Sequence, residues 1–229
     1  MKLLLFTQAL DTNDPVLSVY HRWVIEFAKH FEFITVVCLK VGKYNLPGNV
    51  KVLSLGKEEG IGRFGYVMRF YKYIFDQKYD TVFVHMNQEY LLLGGIFWKM
   101  MGKRVYMWRN HHGGSFLTDI AVTLCTNIFC TSKFSYTAKY KKTSIMPVGV
   151  DTDFFVKLPA IKKIERSILF LSRIAPVKKP HVLIEVLKIL KTRQILFVAN
   201  VYGDSLDKDK IYHENLKKNV REAGLSDSV

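Results

Sequence analysis

The sequence predicts an α/β protein of stacked βα units: one complete Rossmann-like domain, then the first two βα units of a second. Three observations carry this. Short apolar runs alternate with stretches of helical periodicity. The pattern restarts after a basic, Pro-containing connector at 158–166. The 229 residues are 49% hydrophobic and 24% charged, enough apolar material for real cores and no basis for global disorder.

The first strand is the run 2–6, and beyond a polar loop Tyr20, Trp23, Val24, Phe27 and Phe31 fall at helical spacing to lay one apolar stripe on a sheet. Strands follow at 33–39 and 50–55, separated by a loop holding Pro47 and Gly48. The spacing then predicts a helix over 63–76, a strand over 81–85, a helix over 89–101 and a strand over 104–108. Short strands at 127–130 and 143–146 flank a predicted helix at 133–141. Beyond the connector come a strand at 167–171, a helix at 179–190, a strand at 195–201 and a helix at 210–223. The domains are therefore 1–157 and 158–229. Two strands with two helices leave apolar faces and edges open, so the second domain reads as cut off.

Charge narrows the partners. The chain carries 34 Lys+Arg against 20 Asp+Glu, a net +14, which favours anionic ligands. Basic residues are dispersed and no recognised nucleic-acid motif occurs, so nucleic acid is not an expected partner. Three cysteines without CxxC or Cys/His spacing argue against a disulfide scaffold and a structural zinc. The run 2–6 is too short for a secretion signal and the run 90–98 too short for a bilayer span, so a cytoplasmic protein is expected. The 63–78 stretch mixes Phe64, Met68, Tyr71 and Phe75 with Arg63, Arg69, Lys72 and Lys78, and is either a sheet-covering helix with solvated lysines or one that lies on an anionic membrane.

Two stretches hold candidate chemistry. In Pro147, Val148, Gly149, Val150 and Asp151, a Pro and a Gly after a strand make a sharp turn, with Phe154 and Phe155 able to anchor it in an apolar crevice. In 170–181 a strand leads into a loop with Arg173 and, five residues on, Lys178. Strand ends in open α/β sheets face the ligand crevice, where two fixed cations can neutralise a diphosphate; the alternative is a pair of solvated charges.

Together and in this order, these stretches resemble the domain junction and second-domain start of the group 1, family 4 glycosyltransferases. The junction pattern of Pro-x-Gly-Val-Asp followed by Phe is matched by Pro147, Gly149, Val150, Asp151 and Phe154. The Arg with a Lys five residues later is matched by Arg173 and Lys178, with Ser172 in place of the usual Gly and Pro180 where Gly is common. The resemblance implies a GT-B fold, two Rossmann-like domains, truncated here in the second. It implies transfer of a sugar from a nucleotide-sugar to a glycan or lipid-linked acceptor with retention of configuration. Arg173 and Lys178 would bind the donor diphosphate, His111 or His112 would meet the donor in the first-domain cleft, and Gly203 and Asp204 would form the nucleotide-side loop.

No cofactor or metal is expected, because charge assistance from the two cations replaces a metal and no carboxylate cluster calls for one. The family's paired Glu residues lie several βα units later, so Glu214 and Glu222, although eight apart, are assigned to a solvated helix face. Weak turnover by this chain alone, a second polypeptide supplying the missing half, and a location at the inner face of a membrane are further expectations. The alternative function is a non-catalytic GT-B-like module that binds anionic lipid, polysaccharide or a partner protein.

In the first loop, where topology also allows donor or acceptor contacts, Asp11, Asn13 and Asp14 read as caps for the first helix; Ser132 is a helix N-cap before it is a cleft hydroxyl, and His85, which could line the cleft, reads first as structural.

Overall fold

The computed structural model describes residues 1–226. The chain divides into two compact units, Met1–Val150 and Asp151–Val229. The expected boundary after residue 157 lies further along the same segment, 146–166, which holds neither strand nor helix.

In the first unit, β1 (Lys2–Leu10), β2 (Phe33–Val41), β3 (Val50–Ser54), β4 (Thr81–His85), β5 (Arg104–Trp108), β6 (Asn127–Cys130) and β7 (Thr143–Ile145) form one parallel sheet. Its order is β3-β2-β1-β4-β5-β6-β7. Four helices connect the strands: α1 (Ser18–Ala28), α2 (Arg63–Asp76), α3 (Glu89–Met100) and α4 (Phe116–Leu124).

Right-handed crossovers decide which face each helix covers. The step from β1 through α1 to β2 runs toward one edge. The steps through α2, α3 and α4 run toward the other, which puts those three helices together on the opposite face. The two cores follow this division. Phe70, Ile74, Leu91, Trp98 and Val122 from α2–α4 pack on Leu4, Phe6 and Val84, while Tyr20, Val24 and Ala28 from α1 pack on Leu3, Leu5 and Val36. Phe6 centres the larger core, its ring 5.3 Å from Phe70, 5.0 Å from Tyr90 and 5.4 Å from Trp98.

One helix cannot cover a seven-stranded face. Beside α1, the side chains of Trp23, Phe27, Phe83, Tyr106, Trp108 and Phe129 line an apolar groove of about 440 Å³.

In the second unit, β8 (Ser167–Leu171) and β9 (Val198–Tyr202) pair in parallel, with α5 (Pro180–Thr192) between them and α6 (Lys210–Glu222) after them. Ile184 and Leu187 of α5 and Leu216 of α6 close a small core with Ile174, Ala199 and Leu225. Leu169 and Leu171 point the other way and are exposed.

Several local expectations need correction. The predicted helix at 133–141 is only a 3-10 turn, Tyr136–Lys139. Side chains have taken the backbone groups that a helix would use: the Phe134 amide donates to the Ser132 hydroxyl at 3.1 Å, and the Thr143 hydroxyl donates to the Thr137 carbonyl at 2.6 Å. Ser132 therefore closes a turn and caps no helix. Helix α4 was not expected. Strand β9 starts at Val198, because the chain after α5 first turns through Gln194 at φ 56°.

Phe154 and Phe155 do not fill an apolar crevice. Both are exposed, their rings 5.0 Å apart. Glu214 and Glu222 lie on the α6 surface near Lys217 (2.9 Å) and Lys218 (3.6 Å). None of the three proposed cap residues caps α1, whose N-cap is Leu17 with no side-chain cap bond; Asp14 instead closes the turn that leads into the helix. Its Oδ1 accepts from the Val16 and Leu17 amides, whereas Asp11 Oδ1 accepts from the Asn13 and Lys43 amides. No helix among the described residues is long and apolar enough to cross a membrane.

Candidate functional site

In the first unit the strand order reverses between β1 and β4, and the crevice beyond the carboxyl ends of those strands is where open α/β sheets bind ligands. The Thr7 hydroxyl of β1 and His85 Nδ1 at the end of β4 lie 3.2 Å apart. The Tyr20 ring stacks on His85 at 3.9 Å, and the Tyr90 hydroxyl donates to the Thr7 carbonyl. Burial holds the His85 imidazole near a pKa of about 4, so it is neutral at physiological pH. The same burial pushes the Tyr20 and Tyr90 hydroxyls and the Cys38 thiol well up. This floor is uncharged, and His85 sits in it beside the Thr7 hydroxyl with its ring stacked on Tyr20.

The predicted His111 and His112 lie one strand away, in the loop after β5. Both are exposed, their rings stacked 4.8 Å apart. The loop is held tightly for an exposed segment. Arg109 Nη2 donates to the Gly113 carbonyl at 3.0 Å, Asn110 Oδ1 accepts from the Thr131 amide at 2.7 Å, and the Tyr136 amide donates to the His111 carbonyl at 3.0 Å. Gly114 lies against the Tyr136 ring, where a Cβ would come within 2.2 Å of the ring. His111 Nδ1 is 3.0 Å from both the Gly113 amide nitrogen and the Gly113 carbonyl oxygen, so it accepts from the one or donates to the other according to its tautomer.

Arg109, directly after β5, is a candidate that the sequence reading passes over. Its guanidinium is half-buried, its Nε has no hydrogen-bond partner, and burial lowers its pKa from the usual arginine value. Its position directly after a predicted strand was the available signal. A desolvated cation at a strand end has unused capacity for an anion.

In the second unit the candidate residues gather at the carboxyl ends of β8 and β9. Arg173 lies two residues beyond the end of β8 and is half-buried; Lys178 ends a 3-10 turn, Pro176–Lys178, and is exposed. Lys179 then takes a left-handed conformation, φ 54°, and Pro180 opens α5. The first amides of a helix thus belong to the loop that carries both cations.

Gly203 and Asp204 leave β9 beside this loop. The Ser172 amide donates to the Tyr202 carbonyl at 3.1 Å and the Ile174 amide to the Asp204 carbonyl at 2.9 Å. Gly203, at φ +148°, has its Cα against the Ser172 carbonyl. The two loops are therefore locked together, with Arg173 between the two bonded amides. In the junction segment, Pro147, Gly149 (φ +84°) and Asp151 lie on irregular chain, where Asp151 Oδ1 accepts from the Asp153 and Phe154 amides. Among the described residues no group of three His, Cys, Asp or Glu side chains is placed to hold a metal.

Solved structures match this arrangement of elements. The structure of Anabaena Alr3699/HepE in complex with UDP superposes with a TM-score of 0.73 at 19% identity, covering 100% of this chain and 68% of that one. WaaG, a glycosyltransferase involved in lipopolysaccharide biosynthesis, matches with a TM-score of 0.63 at 11% identity over 99% of this chain and 68% of its own. This chain has a GT-B-type fold. The GT-B likeness extends to MurG of Acinetobacter baumannii, with a TM-score of 0.52 at 10% identity over 97% of this chain and 63% of its own. No protein-family model matches the sequence, and no curated protein matches it. At these identities the likeness is one of fold.

Proposed function

We infer that this GT-B-type chain takes part in glycosyl transfer, using a nucleotide-sugar donor and a glycan or lipid-linked acceptor with retention of configuration. One observation carries the reading: the Ser172–Lys179 loop, with its two cations, is bonded to the Gly203–Asp204 loop at the carboxyl end of a parallel strand pair. The structural neighbours named in complex with UDP support a nucleotide as part of the donor.

In this reading Arg173 and Lys178 hold the donor diphosphate, helped by the amides that open α5. When the bond from the anomeric carbon to the diphosphate oxygen breaks, negative charge develops on the leaving nucleotide, and the two cations stabilise it. The diphosphate is thus neutralised by side chains, and no cofactor is called for. Gly203 and Asp204 flank the nucleotide. His111, set by its bond to Gly113, offers Nε2 to the donor sugar or acceptor; His112 stacks against it.

A non-catalytic binding module is the second reading. It is favoured by the net charge of +14, which suits an anionic lipid, polysaccharide or partner protein without any chemistry.

Calorimetric titration of the 229-residue chain with UDP and with UDP-glucose tests the site. Arg173→Ala and Lys178→Ala should each weaken binding by about tenfold or more, as expected for loss of a charge-assisted bond. Unchanged binding in the double variant removes the assignment. Binding without release of free UDP in the presence of acceptor glycans would favour the module.

A further inference from the structure

The helix pair α2 and α3 has an outer face of exposed apolar side chains, joined to the larger core at its inner edge by the partly buried Tyr71. On α2, Phe64, Met68, Tyr71 and Phe75 stand at i, i+4, i+7 and i+11, one stripe along the side away from the buried Phe70 and Ile74. Phe64 is 80% exposed and Phe75 56%.

The fold lays α3 alongside. Its Phe97 ring lies 5.6 Å from both Tyr71 and Phe75, and the Tyr71 hydroxyl donates to the Leu93 carbonyl at 3.2 Å. Ile96, Met100 and Met101 carry the apolar surface on to the end of α3, all exposed, Met100 at 79%. What reads in sequence as one mixed helix is a continuous aromatic and methionine patch across two helices. Isolated exposed apolar residues are ordinary, but a contiguous patch of this kind marks an interaction surface.

Its charge selects the partner. Residues 61–104 carry seven Lys and Arg against three Asp and Glu. Arg63, Lys72, Lys78 and Lys99 are exposed on or beside the two helices, while Arg69 is committed to Glu59 at 2.7 Å. A second copy docking through the same face would set this positive excess against itself. An anionic bilayer accepts both features: phenyl and thioether groups enter the acyl boundary, and lysine stems lie along the apolar surface with their ammonium groups at the lipid phosphates.

We propose that the α2–α3 face is a docking surface for an anionic membrane, on which the first unit lies with these two helices flat against the lipid. The face is formed by a helix layer, whereas the His111 loop and the β1/β4 crevice lie at the carboxyl edge of the strands, so docking leaves that edge open. The inference stands on exposure, ring contacts and charge, and holds whether or not the chain transfers sugar.

Sedimentation of the full chain with vesicles tests it. The chain should pellet with vesicles of phosphatidylcholine mixed with phosphatidylglycerol, should not pellet with phosphatidylcholine alone, and should be released by raised salt. Two variant sets separate the contributions, each checked by circular dichroism. Phe64→Ser with Met68→Ser and Met100→Ser removes the apolar part, and Lys72→Gln with Lys99→Gln removes two charges from exposed side chains without touching the core.

Each set should weaken vesicle binding by roughly tenfold or more, given about 1 kcal/mol for each lysine near an anionic surface. The control Lys162→Gln with Lys163→Gln, which removes the same charge from the irregular stretch 146–166, should bind as the wild type. Equal loss in the control, equal binding to neutral vesicles, no vesicle binding, or undiminished binding by the lysine pair overturns the proposal. So does a wild-type oligomer that the Phe64, Met68 and Met100 changes convert to a monomer, which would make the face a contact between copies of this chain.

Discussion

Gly203 packs so closely on Ser172 that a Cβ at position 203 would lie 1.8 Å from the Ser172 carbonyl oxygen. The obstacle is backbone and cannot rotate away. At φ +148° the position is also one that an L side chain rarely adopts.

Gly203→Ala therefore has to part the two loops that carry the candidate nucleotide residues. The expected cost to the second unit is about 1–3 kcal/mol of strain and lost loop bonds. UDP binding should fall even though Arg173 and Lys178 are intact. Near-wild-type titration with UDP would mean that the loop geometry does not position the ligand.

A buried hydrogen-bond chain gives a second test. Trp98, fully buried, donates its Nε1–H to the Tyr79 hydroxyl at 3.1 Å, and that hydroxyl donates to the Ile74 carbonyl at 2.9 Å. Ile74 lies in the last turn of α2, whose carbonyls have no partner within the helix. Burial and the apolar setting push the Tyr79 hydroxyl up to about 12, so it stays a donor. Tyr79→Phe strands both partners at once and should cost about 1–3 kcal/mol. All three tryptophans, Trp23, Trp98 and Trp108, lie in the first unit, so urea unfolding followed by tryptophan fluorescence reads that unit alone. An unchanged midpoint would show that the chain of bonds contributes nothing net.

Acid should loosen the same unit through His85. Its folded pKa of about 4 lies below the ordinary histidine value of about 6.5, so between these limits the unfolded chain binds the extra proton. The stability this group contributes is complete at neutral pH and is lost as pH falls from about 6.5 toward about 4, by about 3 kcal/mol at most. His85→Phe keeps a ring against Tyr20 and removes the titration. The difference in stability between wild type and variant should therefore narrow as pH falls over that window. A constant difference would indicate that His85 titrates normally.

Arg109 offers a last test of how the His111 loop is built. Arg109→Met keeps much of the side chain's volume and removes the bond to the Gly113 carbonyl. Amide exchange at 110–114 should rise by about tenfold, the equivalent of one hydrogen bond of roughly 1.4 kcal/mol. Exchange that stays as slow as in the wild type would place the loop's order in Asn110 and Gly114 instead.

Much of the architecture was already written along the chain. Every β-strand has its counterpart among the apolar runs, because parallel strands covered by helices are continuous apolar segments that stand out locally. The restart after the connector and the spacing of Arg173 and Lys178 likewise depend only on neighbouring residues. Where the reading failed, distant partners decided. The 133–141 segment has helical spacing, yet its backbone is claimed by Ser132 and by Thr143 of the next strand, and both its tyrosine hydroxyls at 136 and 140 go to Asp119 of α4.

Only the tertiary structure placed Phe97 beside Phe75, put three helices on one face and one on the other, and set Gly203 against Ser172. These pairings follow from strand order and crossover direction. Linear periodicity reports which side of an element is apolar, and it carries no record of which element will lie there.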